Sequence, residues 1–133
     1  MGKIILIRGL PGSGKTTAAK EFDCFHLEAD MFFVRDNIYS FNKEHIKEAH
    51  EFCQKMAETI METGADLVVS NTFTTKKELD PYLALAKKYN YDISVFTVVG
   101  NFKNKHNVPE EVIKKMKNRF EKIEEEQWQK EKI

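Results

Sequence analysis

Eight residues, Gly9-Leu10-Pro11-Gly12-Ser13-Gly14-Lys15-Thr16, follow the spacing G-x-x-x-x-G-K-[ST]. This spacing suits a loop that holds phosphate. Glycines let the chain curl so that successive backbone N–H groups point inward. The start of a helix adds partial positive charge. Lys15 can reach the β- and γ-phosphates, and the Thr16 hydroxyl can ligate Mg²⁺. The expected cradle comprises Gly9, Pro11, Gly12, Ser13, Gly14, Lys15, Thr16 and Thr17. A glycine-rich turn that binds nothing is the alternative. The apolar run before the loop and the helix formers after it argue against that. The expected ligand is therefore a nucleoside triphosphate, ATP, with Mg²⁺; the base is not encoded in this stretch.

Many phosphate-loop proteins also hold Mg²⁺ through an aspartate that ends another strand. The third apolar run here ends in Ser70-Asn71-Thr72, without a carboxylate, and Asp66 stands at its start. The carboxylate in a suitable place is Asp30, after the second run. There it could face the γ-phosphate and accept the proton of an attacking hydroxyl. Capping of the next segment is its plainer reading. The chain contains only three arginines, Arg8, Arg35 and Arg119, so forked phosphate clamps are few. Arg35 reads equally as an acceptor-phosphate contact or a surface charge. Arg119 reads as an ion pair with the acidic run that follows it. His26, His45 and His50 form no metal-ligand spacing, and His106 is expected in solvent. Met31, Phe32, Phe33, Tyr39 and Phe41 could stack on a base, but a packed apolar wall is the favoured reading.

Elements must position these groups. Residues 3–8 read as a buried parallel strand. A helix follows, from about Lys15 to Phe22. The segment 24–30 offers a second strand ending near Asp30. Asn42 caps a long helix that Gly64 stops. Residues 66–71 form a third strand. Thr75 and Glu78 make a capping box for a helix reaching about Tyr89, and residues 92–99 form a fourth strand. Pro109 opens a last helix expected to bury Val112, Met116, Phe120 and Ile123. Alternating strands and helices predict an α/β fold with a parallel sheet and helices on both faces. In such sheets, ligands sit beyond the carboxyl ends of the strands.

The 133 residues carry 41% hydrophobic and 32% charged side chains with a formal net charge of zero. This suits a single domain spanning 1–133 and argues against gripping nucleic acid by bulk charge. No apolar run approaches the roughly 18 residues of a membrane span, and no signal peptide is evident, so a cytoplasmic protein without a membrane partner is expected. Cys24 and Cys53 lack ligand spacing and read as free thiols in a reducing compartment.

With these residues in view, the chain resembles the P-loop kinase domain of phage-type polynucleotide 5′-hydroxyl kinases. It is more similar still to the small kinase-like ATP-binding proteins of that group. The ordered motifs RGLPGSGKTT, ADMFF, YSFN, EAHEFCQ, SNTFT, PYLALAKKYNY and HNVPEEVIKKMKNRFE carry the likeness over about residues 3 to 121. The resemblance implies a P-loop kinase-type sheet of about four strands in the order 2-3-1-4, an ATP site and a nearby hydroxyl acceptor. It implies Asp30 as general base, Asn71 and Thr72 near the acceptor, and Lys103 in place of the lid arginine. Lys103 keeps the charge but not the bidentate fork. The segment from Gly100 to Pro109 is shorter than the usual lid, and Phe33 replaces an arginine, with Arg35 two residues on. The expected activity is transfer of the ATP γ-phosphoryl group to a hydroxyl, with a nucleic acid or nucleotide 5′-OH as leading candidate. The alternatives are a small-molecule kinase, for a nucleoside or a sugar nucleotide as in zeta-type toxins, and an ATP-dependent binding module with little transfer.

Overall fold

The computed structural model describes residues 2–35, 38–98 and 110–120, with Arg35 and Tyr39 described by backbone alone. The apolar run after Gly2 forms β1 (Lys3–Arg8). Its side chains alternate between two cores, as strand geometry requires. Ile4 and Leu6 enter the larger cluster, whereas Ile7, with Ile5 beside it, enters the smaller one. The other strands of this sheet are β2 (Phe25–Leu27), β5 (Leu67–Asn71) and β6 (Asp92–Thr97). All three pairings are parallel, and the order is β2-β5-β1-β6. Numbered among themselves, these four strands run 2-3-1-4, as the resemblance implies. All five residues of β5 are buried, which explains its continuous apolar run.

Helix α1 (Lys15–Ala19) packs on the smaller cluster through Ala18 and Ala19. Helices α2 (Ile46–Glu62) and α3 (Lys76–Tyr89) cover the opposite face with Ala49, Cys53, Ala57, Leu79, Tyr82 and Ala86. Full burial of a Leu or Ile side chain contributes about 1.5–3 kcal/mol, so the α2/α3 face holds most of the apolar stabilisation. Thr75 and Glu78 form the expected capping box of α3.

Three expectations change in detail, and one element was not foreseen. The α1 helix stops at Ala19, because Glu21 and Phe22 donate to Ala18 and Ala19, three residues back, in a tightened turn. The second strand stops at Leu27, and Asp30 lies in a 3-10 helix, Ala29–Phe33. A short antiparallel hairpin follows, β3 (Val34–Arg35) with β4 (Ile38–Tyr39). Helix α4 (Glu110–Arg119) buries none of its residues, and Val112 is 39% exposed. Its inward stripe is instead the half-buried Ile113 and Met116, continuing to Phe120. Ile123 lies outside the described residues. Among the described residues, no helix is long and apolar enough to cross a membrane.

Candidate active site

The phosphate-loop motif leaves the carboxyl end of β1 and enters α1. Gly12 and Gly14 have φ of 83° and 97°, left-handed values that favour glycine. A Cβ on Gly9 would lie 2.4 Å from Ser13 Oγ and 3.0 Å from the Val98 carbonyl oxygen, so a side chain there would push Ser13 aside and crowd the end of β6. The Gly9 N–H donates to the Thr72 carbonyl at 3.3 Å, tying the loop to the end of β5. Because α1 has only five residues, the loop amides, rather than a long helix dipole, are the main donors on offer to a phosphate.

Lys15 folds back over this loop, and its Nζ donates to the Leu10 carbonyl at 3.1 Å. Burial pushes its pKa down to about 8, while the charges of Glu28 and Asp30 push it up. The same lysine therefore senses both carboxylates. Ser13 is buried, and among the described residues its Oγ has no hydrogen-bond partner. An orphaned hydroxyl inside a glycine cradle suits a phosphate oxygen. The Thr16 hydroxyl donates to Glu28 at 3.0 Å, which places a hydroxyl and a carboxylate together. Hard oxygen donors of this kind suit Mg²⁺, so the residues fit Mg²⁺-ATP.

Glu28 and His26 were missed as site residues in the sequence. His26 pairs with Val68 across β2 and β5, and Val68 belongs to the cluster beneath α1. His26 therefore faces α1, and Glu28, two residues on, comes to the same side. His26 Nε2 lies 2.7 Å from Ser70 Oγ and 3.3 Å from Glu28 Oε2. Burial alone would raise the Glu28 pKa. Hydrogen bonds from His26 and Thr16, with the charges of His26 and Lys15, outweigh it and hold the carboxyl below its usual range. The available signal was the alternation of His26 and Glu28 along a strand that ends at the ligand-binding edge.

Asp30 is half-buried in the first turn of the 3-10 helix. That turn is anchored by Asn71, whose Oδ1 accepts the Ala29 N–H at 2.8 Å. The Asn71 Nδ2 lies 3.8 Å from Cys53 Sγ, and the residue is buried. Asn71 thus positions the segment that bears Asp30. Thr72 is half-buried beside Gly9. Arg35 ends β3. Asp66 accepts from the Lys3 N–H at 2.8 Å, at the end of the sheet away from the loop. Arg119 donates to Thr74 Oγ1 at 3.0 Å, whereas the acidic run expected to pair with it lies outside the described residues. Lys103 and His106 lie outside them too. Phe33 is buried, with Phe32 and Phe41 packed on it at 5.4 and 5.2 Å, while Phe32 and Phe41 remain 39% and 54% exposed.

The fold is that of the P-loop kinase-like proteins. The family model described as AAA domain matches residues 4–123, and the chain belongs to that family. Over 96 residues it is 32% identical to NEDD4-binding protein 2 of Homo sapiens, a match covering 68% of the chain and 5% of that protein. The chain thus corresponds to a small part of this relative. Among solved structures, a sugar kinase from Janibacter sp. HTCC2649 is 17% identical, with a TM-score of 0.66 and coverage of 98% of this chain and 86% of that one. Kti12 of Chaetomium thermophilum, solved with ADP-AlF3, is 14% identical, with a TM-score of 0.66 and coverage of 96% and 87%. A chain of the Pnkp1/Rnl/Hen1 complex is 19% identical, with a TM-score of 0.57 and coverage of 86% and 38%. At these identities the structural likeness is one of fold.

Proposed function

We propose that this chain is a Mg²⁺-ATP-dependent phosphotransferase whose acceptor is a hydroxyl, the 5′-OH of a nucleic acid or nucleotide. The observation that carries the reading is Lys15, seated in a glycine cradle within the fields of Glu28 and Asp30. Loop amides and Lys15 hold the phosphates. Thr16 and Glu28 present oxygen donors to Mg²⁺, which when bound offsets the negative charge of the phosphates. Asp30 takes the proton of the acceptor hydroxyl. As the acceptor oxygen bonds to the γ-phosphorus, the bond to the bridging oxygen breaks and ADP leaves. Lys103 supplies positive charge to the group in transit. Most of the rate comes from positioning and electrostatics. The ordered motifs support the 5′-OH acceptor.

A second reading, a small-molecule kinase, is favoured by the likeness to a sugar kinase, which covers 98% of this chain and 86% of that one. One experiment separates the two. The chain is incubated with γ-labelled ATP and a panel containing 5′-OH oligonucleotides, nucleosides and sugars. Label on an oligonucleotide supports the main reading, and label on a small molecule supports the second. Label on neither, with ATP bound, leaves an ATP-dependent binding module.

A further inference from the structure

The carboxylate that many phosphate-loop proteins place at the end of a neighbouring strand is missing from β5, which ends in Ser70-Asn71. Side-chain contacts show what stands in its place. Ser70 Oγ lies 2.7 Å from His26 Nε2 on the adjacent strand β2. The same nitrogen lies 3.3 Å from Glu28 Oε2, and that oxygen accepts the Thr16 hydroxyl at 3.0 Å. The second carboxylate oxygen lies 3.4 Å from the same hydroxyl. The side chains of His26 and Glu28 are only 18% and 14% exposed. An unbroken polar chain thus runs from the end of β5 to the hydroxyl of the phosphate loop.

We infer that Glu28 is the acid of the Mg²⁺ site, moved from the usual strand to the residue just after β2, and that His26, anchored by Ser70, is a positioning residue for it. The inference rests on the reading of the loop as a Mg²⁺-ATP site. By accepting the hydrogen bond of the Thr16 hydroxyl, Glu28 leaves the lone pairs of that oxygen free to face a cation. It also brings a negative charge, which a hydroxyl alone lacks. His26 Nε2, held at 2.7 Å from Ser70 Oγ and 3.3 Å from Glu28 Oε2, limits the rotation of the carboxylate. Mg²⁺ is commonly held by one or two protein groups together with substrate phosphates, so Thr16, Glu28 and the triphosphate suffice.

The test is ATP binding to the full chain by titration calorimetry, in excess EDTA and in saturating Mg²⁺. The ratio of the two dissociation constants measures the help given by Mg²⁺. Glu28→Gln keeps the shape and an acceptor for Thr16 but removes the charge. The ratio should fall about 10-fold or more, while the affinity in EDTA holds or rises, because a negative charge beside the triphosphate is gone. His26→Ala should lower the ratio in the same direction, and Ser70→Ala by less. An unchanged ratio in Glu28→Gln overturns the assignment. So does an equal loss of affinity in EDTA, which would mark a merely structural residue. If Glu28→Gln fails to melt cooperatively, His26→Ala and Ser70→Ala decide, and unchanged ratios in both overturn the assignment. A parent chain that binds no ATP overturns the site reading itself, a result distinct from a parent that binds and a variant that behaves alike.

Discussion

Arg8 holds Phe73. Its Nε donates to the Phe73 carbonyl at 2.9 Å, and Phe73 has a φ of 44°, in the left-handed region. Nη2 of the same guanidinium donates to the Thr74 carbonyl at 3.4 Å, and the guanidinium carbon lies 4.0 Å from the centre of the Phe120 ring. Arg8 is fully buried, so it ties the base of the phosphate loop to the turn after β5 and to the end of α4.

Arg8→Met should therefore destabilise the fold by about 3 kcal/mol, since carbonyls satisfied by a buried cation lose their donor. Arg8→Lys should recover only part, because an ammonium cannot span both carbonyls in one plane. Urea unfolding measures both. A loss under about 1 kcal/mol for Arg8→Met would mean that water replaces the guanidinium at no cost.

Lys15→Ala should remove the thermal stabilisation by Mg²⁺-ATP. For the parent, ligand at a hundred times Kd adds about 2.7 kcal/mol if only the native state binds. The ligand-free melting curve should remain cooperative. An undiminished shift in the variant would show that the triphosphate is held elsewhere.

Asp30→Asn should separate binding from chemistry. ATP affinity should hold, while transfer to any acceptor falls roughly 10²-fold or more. Single-turnover transfer from labelled ATP reads this directly. Near-parent rates would reduce Asp30 to a cap of the 3-10 helix.

Asn71→Ala removes the acceptor for the Ala29 N–H, a buried bond of 2.8 Å. The cost should be about 1–3 kcal/mol, and kcat should fall further than ATP affinity because Asp30 loses its support. Equal effects on ATP affinity and kcat would count against a positioning role for Asn71.

Lys103→Ala should lower kcat with little effect on ATP binding, since a cation at the transferring group acts mainly in the transition state. Lys103→Arg should be active. If the alanine variant transfers label as fast as the parent, the cation must come from another residue.

The phosphate loop was legible in the sequence because its geometry is local. Gly12 and Gly14 must be glycines to reach φ of 83° and 97°, and Lys15 and Thr16 follow at a fixed spacing. The capping box of α3 is local for the same reason. It closes over three residues, with the Thr75 N–H donating to Glu78 at 3.0 Å. Helix ends were less legible. The α1 helix tightens after Ala19, and α4 turns Ile113 rather than Val112 inward, because packing, not periodicity alone, selects the stripe.

What the tertiary structure decided are contacts between strands that are neighbours in space only. The order β2-β5-β1-β6 sets His26 against Ser70, 44 residues away, and Asn71 against Ala29, 42 residues away. From those contacts follow the aim of Glu28 at Thr16 and the placement of Asp30. No local spacing encodes them, because a strand residue specifies which face it occupies, while the sheet order specifies what it meets there.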